Sequence, residues 1–206
     1  MVSDRSVRYL RHMPRRPVTG ARDQILDVAG ALFYARGVRA VGMSEVVGAA
    51  GCGKNLLYAH FPSKTDLVAA YLERFRARRE QTADRVVAEH DDPAAQLVAL
   101  TREVADRAVA PGFRGCALRN HLVEFPDTDD AASRVAHRFL RDSRSRVSAL
   151  VDRLDVADPA GVTERIWLVV EGLYACGTRA AEPAAARAAV ELVEEIVARG
   201  RAGETP

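Results

Sequence analysis

The chain has 206 residues, one to two units at ~150 residues per domain. Hydrophobic residues at 48%, charged residues at 28% and nine prolines permit a packed core and exclude wholesale disorder. No run reaches the ~18 apolar residues of a membrane span, and the basic N-terminus lacks the apolar stretch of a secretory signal, so a soluble cytoplasmic protein is expected. Three cysteines without Cys-x-x-Cys spacing provide neither a disulfide framework nor a zinc site, and no metal or cofactor is implied. The net charge of +2 hides an asymmetry. Residues 1–64 carry ten Arg/Lys against four Asp/Glu, and the remainder is net acidic, which points to a polyanionic partner at the N-terminal end.

The chain reads as helices throughout, with 36 alanines and no period-two strand pattern. Residues 1–18 form a basic arm with Arg5, Arg8, Arg11, His12, Arg15 and Arg16, in which Pro14 and Pro17 prevent a continuous helix. Ile25, Val28, Ala29, Leu32 and Phe33 recur at helical spacing, and Gly37 supplies a left-handed stop. A short helix over residues 44–50 ends at Gly51, and a third over residues 54–60 is stopped by Pro62. Ser63 and Asp66 form a capping box for a long fourth helix with Val68, Tyr71, Leu72 and Phe75 inward and the charged stretch 73–79 on its exposed side. Helices follow over residues 93–110, 116–125 and 130–154, from Asp158-Pro159 through about Thr178, and from Pro183 onward. The expected fold is all-α, with about nine helices.

The pair joined by Gly51-Cys52-Gly53 has the form of a helix-turn-helix, whose second helix enters a DNA major groove with its N-terminal residues at the base edges. An ordinary helical hairpin has the same local pattern; the basic charge and the arm favour DNA. The stretches Ile25-Leu26-Asp27-Val28-Ala29 to Phe33-Tyr34-Ala35-Arg36-Gly37, Val46 to Gly51, and Leu57-Tyr58-Ala59-His60-Phe61-Pro62-Ser63-Lys64 resemble the DNA-binding domain of the tetracycline-repressor (TetR) family over about 50 residues. That resemblance implies phosphate contacts from Tyr58 and Lys64 and base or backbone contacts from Lys54, Asn55 and His60. The chain departs from the family pattern at Val41-Gly42, which leaves Gly42 or Ser44 to cap the second helix, and at Gly53, where a serine usually stands. Asn55-Leu56 replaces the common Gly-Thr; Leu56 either meets a thymine methyl or packs inward. The expected DNA-binding set is therefore Ser44, Lys54, Asn55, Leu56, Tyr58, His60 and Lys64.

Two enzymatic patterns fail on chemistry. Residues 48–55 approximate a phosphate-binding loop, but Asn55 stands where magnesium needs Ser or Thr, and no strand precedes the glycines. Cys116, His121 and Glu124 suggest a nucleophile, base and orienter, yet Cys116 and His121 diverge by roughly 140° on one helix.

Beyond Asp66 the resemblance implies a helical half that dimerises through its last two helices and holds an effector whose binding weakens the DNA complex by linkage. Leu168, Gly172 and Ala175 on one helix, and Val190, Val193, Ile196 and Val197 on the other, are candidates for the dimer face or for internal core. The segment from Gly112 to Asp127 resembles a Gly-Cys…Glu-Phe-Pro segment of one subgroup. Phe113, Cys116, Asn120, Phe125, Phe139, Trp167, Glu171 and Tyr174 are candidate ligand residues, mixing aromatic surface with polar handles. Glu171, one turn from Trp167 and Tyr174, is costly to bury unpaired.

The expected organisation is an arm over 1–18, a helix-turn-helix domain over 19–65 and an effector-binding and dimerisation domain over 66–206. The expected function is a repressor, not an enzyme, that binds a near-palindromic double-stranded operator as a homodimer and is released by a small-molecule effector, with no membrane partner. The alternative is gating by a protein partner or by oxidation of Cys52, Cys116 or Cys176.

Overall fold

A computed structural model describes residues 20–176 and 183–202. Among the described residues it contains nine α-helices and no strand: α1 Ala21–Arg36, α2 Met43–Ala50, α3 Lys54–His60, α4 Lys64–Ala88, α5 Pro93–Ala108, α6 Ala117–Glu124, α7 Ala131–Val151, α8 Pro159–Cys176 and α9 Pro183–Arg201. The basic arm over residues 1–18, the side chain of Cys176 and the expected helix end near Thr178 lie outside the described residues.

The helix starts follow from short acidic side chains that satisfy otherwise orphaned N–H groups. Ala95 N–H donates to Asp92 at 3.3 Å, Ser133 N–H to Asp130 at 2.8 Å and Gly161 N–H to Asp158 at 2.9 Å. Pro93 and Pro159 occupy the first helical position, where no N–H is needed. At the start of α4 the capping box is reciprocal: Asp66 N–H donates to Ser63 Oγ and Ser63 N–H to Asp66 Oδ2, both at 3.1 Å.

The described residues divide into two compact units, each discontinuous in sequence: residues 20–77 with 116–138, and residues 78–115 with 139–176 and 183–202. Two of the three boundaries fall inside helices, α4 and α7, and the third falls in the loop before α6. In the first unit Ile25, Leu26, Ala29 and Phe33 of α1, Val46 and Ala50 of α2, Leu57 of α3, and Leu67, Val68 and Leu72 of α4 are buried. The Phe33 and Tyr71 rings meet at 5.7 Å, and Tyr71 lies against Gly30, where a Cβ would come within 3.0 Å of it. In the second unit Leu97 of α5, Leu150 and Val151 of α7, Val162 and Ile166 of α8, and Val193, Ile196 and Val197 of α9 form one apolar core. Gln96 is buried but satisfied: its amide donates to the carbonyls of Val87 and His90 and accepts from Arg153.

Two expectations are corrected here, and one open alternative is decided. Gly37 has φ 85° and ψ 155°, an extended conformation essentially confined to glycine, not the left-handed helical one that Gly51 adopts at φ 61° and ψ 27°. The charged stretch 73–79 does not simply face solvent. Arg74 reaches Asp23 and Asp27, Arg76 clasps Glu73 and holds its carboxyl below the usual range, and the Arg79 side chain, 14% exposed, pairs with Glu103. Long guanidinium stems cover apolar helix surface while their heads find carboxylates, so a charged run need not be a wet face. Of the two readings open for α9, internal core holds for Val190, Val193, Ile196 and Val197, all buried within the chain, which leaves Leu168 and Leu192 as the large exposed apolar residues described on α8 and α9. An amphipathic helix satisfies its widest apolar stripe on its own core first.

Candidate nucleic-acid interface

α2 ends in an αL cap at Gly51, whose N–H donates to the Gly48 carbonyl at 3.3 Å while Cys52 N–H donates to Val47. The chain is extended again at Gly53, whose carbonyl accepts Leu57 N–H at 3.1 Å and opens α3. Neither α2 nor α3 receives a side-chain cap, because Gly42 and Gly53 stand at the two cap positions. The Gln24 side chain donates to the Ala50 carbonyl at 3.1 Å, binding the start of α1 to the end of α2. The turn that sets α3 against α2 is thus tied by main-chain and side-chain bonds.

α3 is a seven-residue helix with a single inward anchor. Leu57 is 0% exposed, whereas Lys54, Asn55, Leu56, Tyr58 and His60 all face outward. Leu56 at 41% and Tyr58 at 38% are large apolar or aromatic residues held in solvent, so Leu56 does not pack inward. The Lys54 ammonium lies 5.9 Å from the Tyr58 ring centroid, which keeps cation and phenol on one face. Ser44 is exposed on α2 and Lys64 is half-buried at the start of α4, so the expected DNA-contacting residues come from three consecutive helices of one unit. Phe61 follows α3, 2% exposed, and anchors its C-terminal end. Arg22 of α1 lies 5.1 Å over the Phe61 ring, an exposed cation beside α3 that sequence spacing did not single out because 39 residues separate the pair.

The ligand candidates fall in both units. Phe113 stacks on Tyr174 with centroids 6.3 Å apart and carries the Arg107 guanidinium at 5.5 Å. Phe139 is buried, Trp167 packs against the apolar core of the second unit and Glu171 is half-buried. Cys116, at 1% exposure, is the N-cap of α6, and Asn120 and Phe125 are half-buried in the first unit. Phe125 sits under the Arg39 guanidinium at 4.8 Å and 5.0 Å from the His121 ring, a polar surrounding that position alone did not reveal.

His121 is 3% exposed and directs Nε2 to Ser133 Oγ at 3.2 Å, so Cys116, His121 and Glu124 form no relay. Its Nδ1 is buried without a hydrogen-bond partner. Burial holds its pKa below the ordinary value, and the charge of His137 adds to this, while Asp130 and Glu124 oppose it. As pH falls below the unfolded histidine value of ~6.5, the unfolded chain binds a proton that the folded chain refuses. The neutral ring therefore contributes its full stability above that pH and loses it on acidification. Denaturation midpoints followed from neutral to mildly acidic pH are expected to fall more steeply for the wild type than for His121→Gln; parallel curves would refute it.

A short helix set by a tight turn on a buried three-helix core, with cations and an aromatic hydroxyl facing outward, defines a helix-turn-helix DNA-binding protein. A family model described as bacterial regulatory proteins, tetR family, matches residues 25–71. The chain is 37% identical over 78 residues to the HTH-type transcriptional regulator Rv1255c of Mycobacterium tuberculosis, a match covering 38% of this chain and 39% of that relative. It is 30% identical over 151 residues to the HTH-type transcriptional repressor ComR of Escherichia coli, covering 67% of each. The solved structure of SCO4454, a TetR-family transcriptional regulator of Streptomyces coelicolor, matches with a TM-score of 0.83 and 25% identity over 88% of this chain and 96% of that one. The chain belongs to the TetR family of bacterial transcriptional regulators: it is a DNA-binding regulator and not an enzyme. No described helix is long and apolar enough to cross a membrane.

Proposed function

We propose that this regulator is a cytoplasmic repressor that binds a near-palindromic operator as a homodimer and is released by a small-molecule effector. The observation that carries the DNA reading is α3 itself, one residue inward and Lys54, Asn55, Leu56, Tyr58 and His60 outward. Lys54, Asn55 and Leu56 at its start meet base edges, and Leu56 offers an apolar surface to a thymine methyl. Tyr58, Lys64 and Ser44 hold phosphates, and His60 closes the contact at the helix end. ComR, the relative named above as a repressor, supports that direction of control.

The homodimer is supported by an apolar groove between α8 and α9, floored by Leu168, Val169, Leu192 and Ile196 and rimmed by Arg165, Glu195 and Arg199. Leu168 is 67% exposed there, the signature of a surface awaiting a partner rather than of finished core. Phe113, Phe139, Trp167, Glu171 and Tyr174 supply aromatic and acidic surface for an effector in the second unit; Cys116, Asn120 and Phe125 are the separate candidates of the first unit.

Fluorescence anisotropy with the DNA upstream of the protein's own gene, against scrambled DNA, tests the reading. Lys64→Ala is expected to flatten the log–log salt dependence by about one unit, and Tyr58→Phe to weaken binding uniformly across sequences. No binding to any duplex would overturn the DNA reading, and binding by a monomer would overturn the dimer.

A further inference from the structure

We infer that Glu124 is a positioning residue that makes α6 part of the DNA-reading body, so that α1, α2 and α3 follow α6 as one piece. The inference rests on the proposed dimeric, effector-released function and names a component of its regulation.

The observations centre on the loop between α1 and α2. At Gly37 the backbone takes its positive-φ, extended conformation, after which Val38 N–H and Arg39 N–H both donate to Glu124, at 3.1 Å to Oε1 and 2.8 Å to Oε2. One carboxylate thus uses both oxygens on two successive amides 85 and 86 residues away. Consecutive N–H groups turned to one side form an anion-accepting concavity, and a charged acceptor strengthens both bonds. Gly37 completes the seat, since a Cβ there would come within 2.9 Å of Glu124 Oε1. Arg39 contacts the next residue as well: its guanidinium lies 4.8 Å over the Phe125 ring.

The position of Glu124 is itself informative. It is the last residue of α6, where the helix macrodipole opposes a negative charge. A carboxylate there is unfavourable until an outside donor meets it, and the α1–α2 loop supplies two. This gives Glu124, which neither base reading nor ligand chemistry uses, a role, and it gives Phe125 a contact besides its place among the ligand candidates: both residues hold the loop that precedes the helix-turn-helix. It also accounts for the grouping of residues 116–138 with the N-terminal helices in one compact unit. The piece that moves on effector binding is then larger than residues 19–65 and includes α6.

The test is selection of duplexes from a random DNA library by full-length wild type, Glu124→Ala and Glu124→Gln, with helical content checked by circular dichroism. Wild type is expected to enrich two half-sites at one fixed spacing. Glu124→Ala is expected to enrich the same half-site sequence at relaxed spacings. Its affinity for the wild-type duplex should fall on the order of 10-fold with an unchanged salt slope. Glu124→Gln, which keeps one carbonyl acceptor, should lie between them and carries the test alone if the alanine variant fails to fold. Retained spacing and affinity in both variants would overturn the inference, as would a changed half-site sequence, which would mean damage to the reader itself. A wild type that enriches no paired half-sites would remove the dimeric reading first, and this inference with it.

Discussion

Phe61→Ala is expected to abolish DNA binding although Phe61 touches no base or phosphate in the proposed complex. Phe61 is among the largest fully buried side chains, its N–H closes α3 on the Leu57 carbonyl at 2.8 Å, and Arg22 covers its ring. Truncating a buried phenylalanine costs ~3–5 kcal/mol, partly lost transfer energy and partly the cavity left behind. A whole domain is stable by only ~5–15 kcal/mol, so a loss of that size is a large share of it. The comparison is Leu56→Ala, five positions earlier and 41% exposed, which should melt with the wild type and lose only affinity. Thermal unfolding by circular dichroism beside anisotropy separates the two effects. The single tryptophan, Trp167, lies in the second unit and reports on that unit by fluorescence. A Phe61→Ala protein with wild-type melting and wild-type affinity would show that the end of α3 does not depend on this anchor.

The second large effect separates two neighbours on α9. Val193 is 0% exposed in the core of the second unit, whereas Leu192 is 46% exposed and lines the α8–α9 groove. Val193→Asp places a carboxylate among Leu97, Ile166 and Val197 with no partner, a cost of ~4 kcal/mol or more, and is expected to prevent folding of that unit. Leu192→Asp leaves the core intact and places a charge in the proposed dimer groove. It is expected to keep wild-type helical content yet run as a monomer in light scattering and to lose operator affinity. A Leu192→Asp protein that remains a dimer would remove α8–α9 as the interface.

The contrast between these neighbours marks what periodicity can read. Val190, Val193, Ile196 and Val197 stand out in the sequence as one stripe, and a stripe has the same spacing whether it faces its own chain or a second copy. Only the packing of α9 onto α5 and α8 assigns Val193 to the core, and the residue that remains for a partner, Leu192, lies off the stripe. The charged run on α4 behaves alike. Asp23, Asp27 and Glu103 lie tens of residues from the arginines they meet, so its exposed appearance in the sequence could not survive folding.

The helix-turn-helix was legible because its determinants are local. The αL turn at Gly51, the capping box of Ser63 and Asp66, the stop at Pro62 and the Leu-Tyr-x-His-Phe-Pro-Ser-Lys run act within a few residues of one another, where backbone sterics and short hydrogen bonds decide. Those residues determine the helix-turn-helix and the family resemblance, as composition and the missing strand pattern determine the all-helical class, whereas the outward turn of Leu56 on α3 was decided by packing. The fastening of the α1–α2 loop by Glu124, the place of Arg39 over Phe125, the burial of His121 against Ser133 and the division of the chain inside α4 and α7 were decided by the tertiary structure alone. Each joins groups far apart along the chain or depends on what a helix packs against, and neither leaves a period in the sequence.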